Sequence, residues 1–420
     1  MQYKEIKLDN YNVYLMKTDK FKSIFVSLVM VNDFNKDNLL KNFVLRKLLT
    51  TSSKNLKDET QVTKKVCDLY NSGISISNDI LNNIISTNID MEVLEDKYTQ
   101  DGLLYNALDY FFDTIFNPNI VNGEFEKNNY NLVIKSVKEY FDKVKEDKVK
   151  YAYDNAYSLM DEVTLKYPLN GKKEDLKGIN EKIMVDYYND FIKTANASLF
   201  IIGNINEDEI INYLKSNNKI KFYNNKNNYI DSIFTQNTKL KKSETKEKNN
   251  QSILILIYKI INLTKRERNV VLPIFTRIFG GSSNSRLFKN VREKNSLCYG
   301  IRSSYSRANS IIIVESGISY NNKDKVIKLV TKELDDIKNG NITKEEFNEA
   351  IGFRKKNLKQ FDDYIDSLSY IKQSNILFNN DDLNERRKQV DTVQIKELVD
   401  LANKIELNVE YILKGDNDNE

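Results

Sequence analysis

Apolar runs of strand length and apolar residues at helical spacing alternate along the chain. Ile24–Val31 (IFVSLVMV) is an almost unbroken apolar run and reads as a buried strand. Residues 41–49 (KNFVLRKLL) place apolar side chains at helical spacing. Ile84–Met91 alternates in part, like a strand, and residues 103–116 and 125–160 carry helical periodicity. Ser198–Gly203 (SLFIIG) reads as a strand. Asn206, followed by Glu-Asp-Glu, has the form of a helix N-cap with an acidic first turn.

From about 216 to 249 the pattern fades into an Asn/Lys-rich stretch, which is the expected linker, with room for a short strand. The second half repeats the first. Ser252–Tyr258 (SILILIY) is a predicted strand, Val270–Phe279 an apolar helix stopping at Gly280-Gly281, and Ser310–Ser316 another strand. A further helix is expected to begin near Asn284. Thr343-Lys-Glu-Glu346 is a capping box that opens a long helix, and Val409–Leu413 is a closing strand.

The two closings align without a gap: residues 183–204 over 395–416, with Ile183/Ile395, Asn196/Asn408 and Gly203/Gly415 coinciding. The shared order of elements predicts an internal duplication. The fold class is α+β, with two homologous domains, each an antiparallel-rich mixed sheet backed by helices. The expected boundaries are 1–220, a linker at 221–248, and 249–420.

Composition narrows the chemistry. The 420 residues are 40% hydrophobic and 30% charged, enough for a substantial core. Lys+Arg 64 against Asp+Glu 60 leaves a net charge of +4, which makes no case for a nucleic-acid binder. No apolar run approaches the ~20 residues of a membrane span, and the N-terminus lacks the apolar core of a signal peptide. Two cysteines, Cys67 and Cys298, make no disulfide framework, so the expected compartment is the cytoplasm. The Asn/Lys/Ile-heavy composition suits an A+T-rich bacterial genome.

There is no histidine. Ser–His–Asp and Cys–His catalysis are therefore excluded, as is His-ligated zinc. Ser243–Lys246 fits Ser-x-x-Lys but lies in a charged stretch, and Gly280-Gly281 lacks the Gly-Lys-Ser/Thr of a phosphate loop.

Arginine is scarce in this lysine-preferring chain, yet seven of its eleven arginines lie between 266 and 307. A guanidinium offers a planar fork of donors that an ammonium cannot copy, so either geometry or chance surface charge accounts for the cluster. Within it runs FGGSSNSRLFKNVREKNSLCYGI, residues 279–301. The Gly-Gly pair, Ser285-Arg286-Leu287-Phe288, Arg292-Glu293-Lys294, Leu297 and Tyr299-Gly300 resemble the second-domain signature of the M16 (pitrilysin/insulinase/mitochondrial processing peptidase) family. Residues 164–210 resemble the end of that family's first domain. The resemblance implies that Arg292 and Tyr299 are the family's R/Y pair. In that role the arginine holds the substrate backbone and the tyrosine donates to the oxyanion of the tetrahedral intermediate. A neutral tyrosine hydroxyl and a guanidinium are both donors suited to such oxygens.

The resemblance also locates a loss. The family's His-x-x-Glu-His motif falls on residues 42–46, where Asn42, Leu45 and Arg46 stand in place of two zinc ligands and the catalytic glutamate. The third ligand's position falls near Glu124 by spacing and at Phe141 by local motif. The chain is therefore expected to hold no metal itself. By resemblance it is the zinc-less subunit of a heterodimeric zinc endopeptidase. Its partner would be an M16-type subunit carrying His-x-x-Glu-His and the zinc, and its substrate a peptide. The alternative is a structural or peptide-binding scaffold that only inherits the fold.

Overall fold

The structure is a computed structural model that describes residues 2–8, 10–223, 229, 234–236 and 239–416. The first half of the chain contains strands β1 (Lys4–Leu8), β2 (Tyr11–Lys17), β3 (Ser23–Asp33), β4 (Ile74–Leu81), β5 (Ile84–Leu94) and β6 (Asn196–Gly203). Its main helices are α1 (Leu39–Thr51), α2 (Leu103–Phe116), α3 (Lys127–Val144), α4 (Lys148–Ser158) and α5 (Glu181–Thr194). The second half contains β7 (Lys241–Lys246), β8 (Ser252–Ile260), β9 (Cys298–Ser306), β10 (Ile311–Ile318) and β11 (Ile405–Lys414). Its helices include α6 (Leu272–Phe279), α7 (Lys323–Lys338), α8 (Lys344–Gln360), α9 (Ile365–Phe378) and α10 (Ile395–Ala402).

The strand order of the first sheet is β1-β2-β6-β3-β5-β4. The second sheet, read from its other edge, runs β7-β11-β8-β10-β9. The directions match strand for strand. In each sheet one parallel pair (β2 with β6, β7 with β11) is followed by three antiparallel pairs. β1 is an added edge strand on the first. The duplication and the antiparallel-rich mixed sheets expected from the sequence are both present, and α5–β6 and α10–β11 are the two aligned closings.

Contacts divide the chain into two compact units. The first comprises residues 1–142, 168–229 and 364–373, the second 143–167, 230–363 and 374–420. One division, at 229/230, falls inside the stretch expected to be the linker (221–248), and the segments 143–167 and 364–373 are each grouped with the other half of the chain. The periodic stretch 125–160 is two helices: α3 ends at Val144, and Asp147 caps α4 by accepting from the Lys150 amide at 3.0 Å. The expected linker falls partly outside the described residues, at 224–228, 230–233 and 237–238. Its described part contains β7, so the Ser243–Lys246 motif is strand backbone paired to Tyr411–Lys414.

The exchanged helices explain why the central strands are apolar without alternation. In the first unit, Val26, Leu28 and Met30 of β3 join a core with α1, α2 and α5. On the opposite face, Phe25 with Met16 and Ile202 packs against Ile365 and Leu368 of α9. In the second unit, Leu254, Leu256 and Tyr258 of β8 face one core, and Ile253, Ile255 and Ile257 face Ala152 and Ala156 of α4. Side chains alternate across a strand, so a strand covered on both faces is apolar throughout.

Candidate functional site

Helix α1 carries the three positions expected to be a lost zinc motif. Asn42 is buried, and its Oδ1 accepts from the Tyr187 hydroxyl of α5. Leu45 is buried in the core of the first unit. Arg46 lies with its guanidinium 4.7 Å from the centre of the Phe43 ring and donates to Asn170 Oδ1 at 2.9 Å. Burial holds the Arg46 pKa below its ordinary value. Phe141, one candidate for the third position, packs edge-on against Phe43 at 6.2 Å, whereas Glu124 is exposed. An engaged amide, a hydrocarbon and a cation do not fit a zinc ion, which needs nitrogen, sulfur or carboxylate donors. Among the described residues no group of three or more Cys, Asp or Glu is placed to hold a metal.

The second candidate pair is built on the Gly-Gly turn. At the end of α6 the amides of Gly280 and Gly281 both donate to the Thr276 carbonyl, at 3.0 and 2.8 Å, and the Gly280 carbonyl accepts from the Ser303 amide of β9 at 2.8 Å. A Cβ at Gly281 would stand 2.9 Å from that same Thr276 carbonyl oxygen, and one at Gly280 would stand 2.8 Å from both Leu287 and Ser303. Only glycine allows this close approach of helix end and strand. A π-helical turn, Phe288–Glu293, carries Arg292. The chain then reverses through Ser296, at φ 50°, with the Leu297 amide donating back to the Val291 carbonyl at 3.1 Å.

Tyr299 follows on the edge strand β9. Cys298 pairs with Ile318 and Gly300 with Gly317, so Tyr299 is the extra residue of a β-bulge. Bulges re-aim side chains, and this one leaves Tyr299 79% exposed, more than any other large apolar or aromatic residue described. Its hydroxyl has no hydrogen-bond partner among the described residues. Arg292 is exposed too, with its guanidinium 4.6 Å from the Phe288 ring centre. The Cys298 thiol is pushed up by burial, against which the Ser316 hydroxyl and the Arg292 charge both work. Both members of the expected pair thus sit on one short stretch of the second unit. The three zinc-motif positions are in the first.

The surrounding arginines are otherwise occupied. Arg266 forks onto Glu397 at 2.6 and 3.2 Å, Arg268 donates to the Arg307 carbonyl at 2.6 Å, Arg277 reaches Glu349 at 3.2 Å, and Arg302 forks onto Glu315 at 3.1 and 2.7 Å. Arg286 is buried. It makes two 2.8 Å bonds to Glu346 and also donates to the Asn341 carbonyl. Among the described residues the Arg292 and Arg307 guanidiniums alone of the seven make no ion pair or hydrogen bond. Five of the seven are therefore engaged within the fold, three of them as forks onto carboxylates, with Arg292 and Arg307 left over.

Comparison with known proteins places this architecture. Residues 178–352 match the family described as the peptidase M16 inactive domain. The chain is 22% identical over 417 residues to the probable inactive metalloprotease YmfF of Bacillus subtilis, covering 96% of this chain and 95% of that one. It is 25% identical to the uncharacterized zinc protease YmxG of the same organism, over 57% of each chain. A crystal structure of a conserved protein from Enterococcus faecalis V583 superposes with a TM-score of 0.89 at 25% identity, covering 100% of both chains. Residues 178–352 are thus similar to the M16 inactive domain, the family that the sequence resembles, and the likeness in fold runs along the whole chain.

Proposed function

We propose that this chain is the zinc-less subunit of a heterodimeric M16-type peptidase and supplies Arg292 and Tyr299 to a peptide held at its partner's zinc site. The observation that carries the reading is the contrast between the two places. The expected zinc-motif positions hold side chains that are each engaged within the fold, Asn42 by Tyr187, Leu45 by the core and Arg46 by Asn170 and Phe43. Arg292 and Tyr299 are held out on a π-helical turn and a bulge with their donors uncommitted. A guanidinium and a neutral phenol presented this way are suited to a peptide carbonyl and to the oxyanion that forms from it.

In this reading the partner bears His-x-x-Glu-His and the zinc, which would activate the water. The described residues include no helix long and apolar enough to cross a membrane, and the proposed compartment is the cytoplasm. The match to a chain named a zinc protease, from the same organism as the match to one named inactive, supports a pairing of unlike chains. The test is peptide turnover by the reconstituted pair. Tyr299→Phe should lower kcat about 10²-fold, the scale of one lost oxyanion donor, with little change in KM. Unchanged turnover would favour a scaffold that only inherits the fold.

A further inference from the structure

Between the end of α6, the middle of β9 and α8, the second unit encloses a cavity of about 310 Å³. Its wall includes Arg277, Ser303, Tyr305, Phe353, Arg354 and Asn357, and no carboxylate. Neither Arg292 nor Tyr299 lines it, so it is a separate place from the proposed peptide contact.

Its donors are under-used. Among the described residues Arg354 reaches only the Asn269 carbonyl, at 3.4 Å, and its Nε is buried without a partner. The Arg277 guanidinium carbon lies 3.8 Å from the Phe353 ring centre with one terminal nitrogen on Glu349, and its Nε is likewise buried and unpartnered. The Ser303 hydroxyl is a third buried group without a partner. Unmet buried donors are costly and uncommon in native proteins, and buried guanidiniums are ordinarily paired with acids. Arg277 has the Glu349 carboxylate at one end of its fork, whereas Arg354 has no acid partner among the described residues and has the like charge of Arg307 nearby. Burial, and then the charge of Arg307, hold the Arg354 pKa down.

We propose that this cavity is an oxyanion site, in which a carboxylate or phosphate group sits between the forks of Arg277 and Arg354 and takes Ser303 as a further donor. The guanidinium fork matches the oxygen spacing of both groups, which is why arginine serves where such groups are recognised. The volume lies at the small end for ligand pockets and suits one anionic group on a compact body. The apolar face of Phe353 gives that body something to rest on. The inference does not depend on the peptidase reading.

Titration calorimetry on the full-length protein at fixed ionic strength tests it. The probes are inorganic phosphate, a short peptide with a free C-terminal carboxylate, and the same peptide as its amide. The expected result is saturable binding of one anion per chain, weakened at least ~10-fold by Arg354→Gln and by Arg277→Gln. Circular dichroism should show both variants folded. Arg277 is the less buried of the two and guards against a folding defect in the other. Binding of phosphate alone identifies a phosphate ligand, and preference for the acid over the amide peptide identifies a carboxylate. The proposal is overturned if no probe binds saturably, or if binding survives both substitutions.

Discussion

Arg46 donates to Asn170 Oδ1 at 2.9 Å, and Asn170 donates onward to the Tyr140 hydroxyl at 2.7 Å. Tyr140 stacks edge-on against Phe43, the ring that Arg46 itself covers. The place where the resemblance puts a metal-binding motif is thus a closed polar and aromatic packing unit. Its residues stabilise the fold and are not aimed at a ligand.

Arg46→Ala should therefore act on stability. It removes the packing of the arginine stem and leaves the Asn170 amide oxygen unmet, a loss of about 1–2 kcal/mol. Chemical denaturation measures this. Peptide turnover by the reconstituted pair should be unchanged under conditions where the variant is folded.

Arg286→Ala should cost more, about 2–3 kcal/mol, because it strands a carboxylate that is both ion-paired and part of a helix cap. Glu346 accepts from the Thr343 amide at 2.9 Å as the capping-box residue of α8. The partial exposure of Glu346 keeps the figure below that of a fully buried pair. Burial works to raise the Glu346 pKa, but the bonds from Arg286 and Thr343 outweigh it and hold the carboxyl below its ordinary value. A depressed acid contributes stability that is full above its unfolded pKa of about 4.3 and is lost as pH falls through the folded value. Denaturation midpoints between pH 6 and 3 should accordingly fall less steeply in the variant than in the parent.

Gly281→Ala tests the turn that joins α6 to β9. The added methyl meets a backbone carbonyl at 2.9 Å, which cannot move as a flexible side chain can. A loss of about 1–3 kcal/mol is expected. Because the turn also sets the start of the segment leading to Arg292, turnover should fall with stability in this variant.

Tyr299→Phe should do the reverse. The hydroxyl has no partner among the described residues, so the melting temperature should stay within a degree or so of the parent. Only turnover should change.

The strands and the duplication were legible because hydrophobic burial dictates pattern. β3 and β8 are apolar along their length since both faces are covered. The helix over 103–116 is legible end to end because its apolar residues recur at helical spacing along a helix that is buried over most of its surface. The exchange of α4 and α9 was not legible, since periodicity shows that a helix has an apolar face without showing which sheet it meets. β4 was passed over, although Ile74-Ser-Ile-Ser alternates in the manner of an edge strand with one covered face. The expected R/Y pair rests on motif spacing alone, while the bulge that exposes Tyr299 depends on pairing register with β10, which no local pattern carries. That Arg286, Arg266 and Arg302 fork onto carboxylates is not legible in the sequence, because it depends on Glu346, Glu397 and Glu315 coming close in space.

The central claim is that this chain works beside a zinc-bearing relative. Affinity purification from native cells, with the co-purifying chain sequenced and the metal content measured, tests it most directly. The account predicts an equimolar M16-type partner with His-x-x-Glu-His and about one zinc per pair. A homodimer, or a partner without that motif, would contradict it.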